Sequence, residues 1–395
     1  MTAAARKQHL IDPELCIRCY TCEASCPIGA IDHDANNVVV DAGKCNFCMA
    51  CIAPCPTGSI DNWRVVETPY SMAEQYSWRD LPAQKELASA ADAVEAVDES
   101  VARLLAEAHA GGGGKAKAPA SASKPSVNLY SIAKPAEAVV QGNYRLTAEG
   151  SDADVRHVIL DFGAVAFPFL EGQSIGIVAP GADERGKAHL PRLYSISSPR
   201  DGERQNFNNL SLTVKREPGG VCSNHVCDLK KGDRVTVVGP FGATFLMPND
   251  PAARILMICT GTGSAPFRAF TMRRQREMPE GAAHMMLVFG ARTPESLPYF
   301  GPLAKVPEAV LEKHLVFSRV PGKPKEYVQD RLRREGEKVA DLIAHPSAHV
   351  YICGLREMER GVEEALANIA EGAGHSWQSL RDTMRAEGRY HVETY

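Results

Sequence analysis

Arg192-Leu193-Tyr194-Ser195-Ile196-Ser197, followed by Gly219-Gly220-Val221-Cys222-Ser223-Asn224, is the stretch from which the rest of this 395-residue chain can be read. Arg192 and Tyr194 stand two apart, so in a strand they share a face. A guanidinium there can take phosphate oxygens in its fixed fork while the phenol lies against a planar ring. Taken alone, an alternating strand with an exposed arginine would look the same. The glycine pair adds information, because it precedes a short helix at 223–229 whose free N–H groups and positive dipole end suit a pyrophosphate. The two pieces together read as a flavin site. Six short alternating segments surround it, at 144–147, 157–161, 174–178, 193–197, 210–215 and 234–239, before any long helix. That order predicts an antiparallel β-barrel over 128–249. Cys222 and Cys227 read as small packing residues, since no spacing around them suits a metal.

Beyond the barrel the period changes. Strand and helix alternate over 250–395, with strands expected at 254–259, 284–289, 315–318 and 349–353. This is the pattern of an α/β domain with a parallel sheet. Between its first strand and a helix running through Phe270 and Arg273 lies Thr260-Gly261-Thr262-Gly263-Ser264. Such a turn lets backbone N–H groups approach a pyrophosphate, and ligands of such sheets lie at the carboxyl ends of the strands.

The amino-terminal side is organised by cysteine. Eight of the twelve cysteines fall in the first 55 residues, as Cys16-x-x-Cys19-x-x-Cys22-x-x-x-Cys26-Pro27 and Cys45-x-x-Cys48-x-x-Cys51-x-x-x-Cys55-Pro56. Each has its counterpart 29 residues on, and Gly29 repeats as Gly58. A structural zinc site wants two well-separated pairs, whereas four thiolates in eleven residues ending in proline have the spacing of a two-cluster iron–sulfur protein. A small α+β domain is expected over 1–67, with strands at 8–11 and 38–40 and helical turns after each cysteine run. Over 68–127 the composition becomes Ala-, Glu- and Ser-rich, with Val94, Val97, Val101, Leu104 and Leu105 at helical spacing from about Asp92. The tract from 111 to 127 reads as a flexible tether.

Net charge of −4 argues against general nucleic-acid binding. No apolar run approaches a membrane span, and the amino terminus lacks the apolar core of a signal peptide, so a cytoplasmic protein is expected. No paired Glu-x-x-His helices are present, so oxygen activation is expected elsewhere.

With these motifs in hand, two resemblances become specific. The cysteine repeat is similar to that of bacterial dicluster ferredoxins. Residues from about 140 onward resemble plant-type ferredoxin–NADP reductases, on Arg192 to Ser198, Gly220 to Asn224, Gly261 to Arg268, Phe289-Gly290-Ala291, Ser318-Arg319, Cys353-Gly354-Leu355 and the terminal Val392-Glu393-Thr394-Tyr395. The ferredoxin resemblance implies that Cys16, Cys19, Cys22 and Cys55 hold one 4Fe-4S cluster and that Cys26, Cys45, Cys48 and Cys51 hold the other. The reductase resemblance implies Arg192, Tyr194, Ser195, Cys222 and Ser223 at FAD, Thr260 and Gly261 at the NADP pyrophosphate, and Ser318, Arg319, Lys325 and Tyr327 at the 2′-phosphate. It further implies Ser195, Cys353 and Glu393 in the hydride-transfer pocket, with Tyr395 stacked on the flavin. The loop between Arg319 and Lys325 is shorter than in the plant enzymes. The fused arrangement resembles the reductase components of oxygenase systems in aerobic aromatic degradation, which implies NADPH as donor and a separate diiron-type oxygenase as acceptor. Flow in the NADPH-forming direction, or a flavin sensor without turnover, stay open at this point.

Overall fold

The computed structural model describes residues 6–83 apart from 53 and 61, residues 102, 103 and 106, and residues 116–395 apart from 185, 206 and 279–283. Of the helix read from about Asp92, only residues 102, 103 and 106 are described, all three helical, and the rest of it lies outside the described residues.

In the cysteine domain, strands β1 (Arg6–Leu10) and β4 (Asn62–Val66) pair antiparallel, as do β2 (Ile31–His33) and β3 (Val38–Val40). β2 and β4 were not visible in the sequence, because Asp32, His33, Asn62 and Arg64 break the apolar alternation. A helical turn, Thr21–Ala24, falls inside the first cysteine run rather than after it. The core is thin, with Ile11, Ile31, Val38, Val40 and Ile60 packed among the cysteines.

The next six strands are β5 (Ala136–Arg145), β6 (Val155–Asp161), β7 (Ser174–Val178), β8 (Arg192–Ser195), β9 (Asn209–Lys215) and β10 (Arg234–Phe241). They form one antiparallel sheet in the order β8-β7-β10-β5-β6-β9. An Ile196–Leu212 bridge joins its two edges, so the sheet closes as a barrel. β5 begins eight residues before the strand expected at 144. Its inward positions are Ala136, Ala138, Val140 and Gly142, small residues that give weak strand signals yet fit a crowded barrel interior.

Strands β11 (Arg254–Thr260), β12 (Met285–Ala291), β13 (Glu312–Phe317), β14 (Ala348–Gly354) and β15 (Tyr390–Thr394) form a parallel sheet ordered β13-β12-β11-β14-β15. β14 is buried at every position, as a strand covered on both faces must be. The chain runs outward from β11 to β13 and then returns to the other side of β11. The order therefore reverses between β11 and β14, which opens a crevice at their carboxyl ends.

Helix Ser264–Glu277, which follows β11, ties this sheet to the barrel with three arginines. Arg268 donates to both carboxylate oxygens of Glu203 at 2.7 and 2.8 Å and to the Ser197 carbonyl at 2.8 Å. Arg273 reaches the fully buried Glu171 at 3.1 Å, where Arg200 also binds at 2.8 Å, and Arg276 meets Asp201 at 2.9 Å. On the far side of Glu203 stand His157, at 3.3 Å, and the Tyr299 hydroxyl, which contacts His157 at 2.9 Å and Thr213 at 2.6 Å.

Part of the tract read as a flexible tether is held against both domains. Lys117 donates to the Ala386 carbonyl, and Pro119 is buried. The Ser123 hydroxyl receives hydrogen bonds from Arg200 at 2.8 Å and Asn249 at 2.9 Å, and Gln173 donates to the Ser126 carbonyl. Small polar residues that cannot build a core here satisfy polar groups already exposed along the joint. Among the described residues no helix is long and apolar enough to cross a membrane.

Burial works against ionisation of Glu203, but hydrogen bonds from His157 and Arg268 hold its carboxyl well below the ordinary carboxylate range. A depressed carboxylate contributes stability that is present above its unfolded value and lost as pH falls toward the folded one. Glu203→Gln is expected to cost about 3 kcal/mol near neutrality by leaving Arg268 uncompensated. Denaturant titrations from about pH 6 down to about pH 3 should show a shallower loss of stability in the variant than in the parent.

Candidate functional site

The crevice at the strand-order reversal faces β8 of the barrel, and the two surfaces enclose a cleft of about 750 Å³. From the barrel come Arg192, Tyr194, Ser195, Thr213, Cys222 and Ser223; from the sheet come Thr262, Cys353, Arg356, Glu393 and Tyr395. Eight residues singled out in the sequence thus share one cleft although they span 192 to 395. Thr213, Thr262 and Arg356 were not singled out. Thr262 lay within the quoted glycine turn and Arg356 just after Cys353-Gly354-Leu355, so a local signal existed for both.

The helix beside the cleft is Val221–Asp228, two residues earlier than expected. Asn143 donates to three carbonyls at its carboxyl end, Val226, Cys227 and Leu229, at 3.1, 3.2 and 2.8 Å. Arg216 binds Asn224 and Asp228 from the helix and Asp154 from the barrel. These contacts satisfy the carboxyl end and aim the other end at the cleft. That amino end, capped by Gly220 without a side-chain hydrogen bond, presents its N–H groups there. A Cβ on Gly220 would come within 2.5 Å of Ser223 Oγ. Arg192 has no carboxylate within ion-pair distance among the described residues and lines the same wall. An arginine, helix N–H groups and close-approaching glycine backbone are the donor set an anionic pyrophosphate requires.

On the sheet side, Gly261 has φ +56 and opens the turn after β11. A Cβ on Gly263 would lie 2.2 Å from the Cys353 carbonyl oxygen, so glycine is required where this turn packs on the end of β14. Thr260 Oγ1 is buried with no hydrogen-bond partner. Thr260 and Gly261 border the cleft without lining it, next to Thr262. Tyr395 extends the β14–β15 pairing by one more bond, its N–H to the Gly354 carbonyl at 3.0 Å. Its hydroxyl meets Thr262 Oγ1 at 2.7 Å, and its side chain stays exposed at the cleft mouth. Burial pushes the Glu393 carboxyl up to about 8 and raises the Cys353 thiol well above its ordinary value.

Ser318, Arg319, Lys325 and Tyr327 lie outside this cleft, beyond the carboxyl end of β13. The Ser318 and Arg319 N–H groups bind the Ala291 and Arg292 carbonyls at 3.1 and 2.7 Å, which fixes the start of the loop. Arg319, Lys325 and Tyr327 are exposed, and Tyr327 precedes helix Val328–Arg334. The loop therefore presents cations along the edge of the sheet that carries the glycine turn.

The cysteine repeat is also a repeat of backbone. Arg18 and Tyr20 have φ of 56 and 58, and their counterparts Phe47 and Met49 have 58 and 63. Left-handed residues alternating with cysteines curl each loop so that N–H groups point inward, an arrangement found at anionic sites. Cys26 lines one cavity with Cys45, Cys48 and Cys51. In the other half, burial pushes the Cys22 thiol up to about 11, with Cys16 and Cys55 adding to the effect through their charge. The cavity thus joins three cysteines of the second run to one of the first, and Cys55 of the second run lies near Cys16 and Cys22 of the first. His9, Phe47 and Trp63 stack beside the first cavity, His9 to Trp63 at 4.2 Å and Phe47 to Trp63 at 5.8 Å.

Comparison with known proteins fits this geometry. Residues 257–364 match an oxidoreductase NAD-binding domain, and residues 8–56 match a 4Fe-4S dicluster domain. The chain is 37% identical over 289 residues to the ferredoxin–NADP reductase of Synechocystis sp., covering 68% of this chain and 70% of that one. It is 38% identical over 290 residues to the Spirulina sp. ferredoxin–NADP reductase, covering 98% of that protein and 68% of this one. Among solved structures, ferredoxin–NADP+ reductase from Plasmodium falciparum superposes with a TM-score of 0.54 at 25% identity, over 68% of this chain and 99% of that one.

The raised Glu393 value has a stability consequence. For a carboxyl shifted from 4.5 to about 8, the contribution is intact below about pH 4.5 and is lost as pH rises through about 8. Glu393→Gln should remove that decline, so melting temperatures of flavin-free parent and variant should diverge steadily from about pH 5 to about pH 8 and run parallel above. Parallel curves throughout would show that the carboxyl ionises normally.

Proposed function

The chain belongs to the ferredoxin–NADP reductase family, and on that footing we propose that it draws hydride from NADPH and delivers single electrons to a separate protein. The reading rests on one observation above others: Ser195, Cys353, Glu393 and Tyr395 meet in the cleft at the strand-order reversal, in a chain that also carries two four-cysteine runs, with Cys26 of the first beside Cys45, Cys48 and Cys51 of the second.

The barrel face of the cleft suits FAD. Arg192 and the amino end of helix Val221–Asp228 would hold its pyrophosphate, with Cys222 and Ser223 beside it, and Tyr194 and Tyr395 would flank its ring from opposite domains. FAD bound there would supply the two-electron to one-electron conversion that no side chain can perform. Ser195, Cys353 and Glu393, which line the cleft, would border the place where nicotinamide meets the ring. With its value near 8, Glu393 can hold a proton there at neutral pH. Tyr395, anchored by one backbone bond and one hydroxyl contact, would cover the ring face that nicotinamide needs and would have to move aside for it. Thr260 and Gly261 would receive the NADP pyrophosphate, and Ser318, Arg319, Lys325 and Tyr327 its 2′-phosphate.

Cys16, Cys19, Cys22 and Cys55 would hold one 4Fe-4S cluster and Cys26, Cys45, Cys48 and Cys51 the other. Because each set uses both runs, cluster assembly would staple the two halves of a domain whose own core is small. Electrons would leave for a diiron-type oxygenase in the cytoplasm, in the manner of the reductase component of a benzoyl-CoA 2,3-epoxidase system.

A charge-assisted contact to phosphate is worth about 2 kcal/mol, so Arg319→Ala should lower kcat/KM for NADPH roughly thirtyfold and leave NADH nearly unchanged. Steady-state ferricyanide reduction with both nucleotides measures this. Equal losses with the two donors would remove Arg319 from the 2′-phosphate site.

A further inference from the structure

The two halves of the cysteine domain share a backbone but not a surface. Left-handed residues and glycines fall at matching positions, so the fold makes the same demands of both. Yet the first half exposes Leu15 (51%), Ile17 (64%), Tyr20 (39%) and Ile28 (40%), where the second carries Lys44, Asn46, Met49 and Thr57. Cys19 is exposed while its counterpart Cys48 is half-buried. Since the second half folds without apolar residues at three of these positions, the fold does not require the first half's patch.

Charge is divided in the same way. Between 12 and 34 stand Asp12, Glu14, Glu23, Asp32 and Asp34 against Arg18; between 41 and 63 stand Asp41 and Asp61 against Lys44. Glu14 and Asp32 are exposed, and the His33 ring lies tilted against Tyr20, centroids 4.2 Å apart, while contacting Glu23 at 2.7 Å. The second half is turned toward the chain itself. Its cavity is flanked by β1 and β4 through His9 and Trp63, and Arg6 at the start of β1 bridges Val165 of the barrel.

From this asymmetry we infer that the face formed by Leu15, Ile17 and Tyr20 around Cys19 is the docking surface for the electron-accepting protein, and that this partner presents a basic rim around an apolar contact. An acidic rim steers a basic partner, and the apolar centre holds it once docked. Electrons would then leave the chain through the 4Fe-4S cluster that Cys16, Cys19, Cys22 and Cys55 would hold, one at a time, each electron given up by the reduced cluster reducing one acceptor. The inference rests on the NADPH-driven reading given above.

Cytochrome c, a basic protein with an exposed haem edge, serves as the probe. The triple variant Leu15→Lys, Ile17→Asn, Tyr20→Met gives the first half the residues its twin already carries. In the full-length holoprotein it should lower NADPH-dependent cytochrome c reduction roughly tenfold, while iron content and ferricyanide reduction stay at the parent level. The parent rate should also fall steeply with salt. If the triple variant loses iron, Glu14→Lys with Asp32→Lys tests the rim instead, and the same selective loss is expected. Unchanged cytochrome c reduction in an iron-replete variant, or an equal loss from Lys44→Ala with Asn46→Ala in the second half, would overturn the assignment. Saturation of the patch by a second copy, seen as dimers that the triple variant abolishes, would also overturn it. Absence of NADPH-dependent ferricyanide reduction in the parent would instead refute the underlying reading.

Discussion

Everything at the cleft depends on a joint between two domains made largely by arginine side chains of one helix. Ser264–Glu277 starts at the glycine turn that borders the cleft, and Arg268, Arg273 and Arg276 carry it to Glu203, Glu171 and Asp201 of the barrel. Ion pairs this well buried are a weak source of net stability, because desolvation offsets most of the attraction. They are a strong source of geometry, since a guanidinium fork accepts a carboxylate in few orientations. The same contacts reach the cleft wall: Arg268 holds the Ser197 carbonyl two residues past Ser195, and Tyr299 holds the Thr213 hydroxyl. Moving the helix would therefore disturb both walls at once.

The docked part of the tether adds to this joint. Ser123 bonds to Arg200, which also binds Glu171, and to Asn249, which also binds Arg273. Close packing reinforces it at Gly388, where a Cβ would lie 2.1 Å from the Ala118 carbonyl oxygen at a φ of +68. Residues that read as a spacer thus bind on both sides of the domain boundary.

What the sequence made legible was chemistry held in short windows. Cysteine spacing, the Arg192–Tyr194 alternation and the glycine turn each sit within a dozen residues, and each names the atoms it can bind. The Glu203–Arg268 and His157–Tyr299 contacts join residues 65 and 142 apart, and nothing local distinguishes these side chains from surface charges. β5 was hidden by alanine and glycine at inward positions, and β4 by polar residues. β15 showed itself only as a motif, because its five residues give no period of their own; its place beside β14 is what brings Glu393 and Tyr395 to Cys353.

In the proposed function one chain is both a two-electron acceptor and a one-electron donor, with the converter and its outlet covalently joined. Anaerobic rapid mixing of NADPH with the iron-replete, flavin-loaded protein tests this most directly. The flavin band should bleach first and the iron–sulfur absorbance should follow, at a rate that does not change with protein concentration. Clusters that stay oxidised beside fully reduced flavin, or that bleach at a rate proportional to protein concentration, would contradict it.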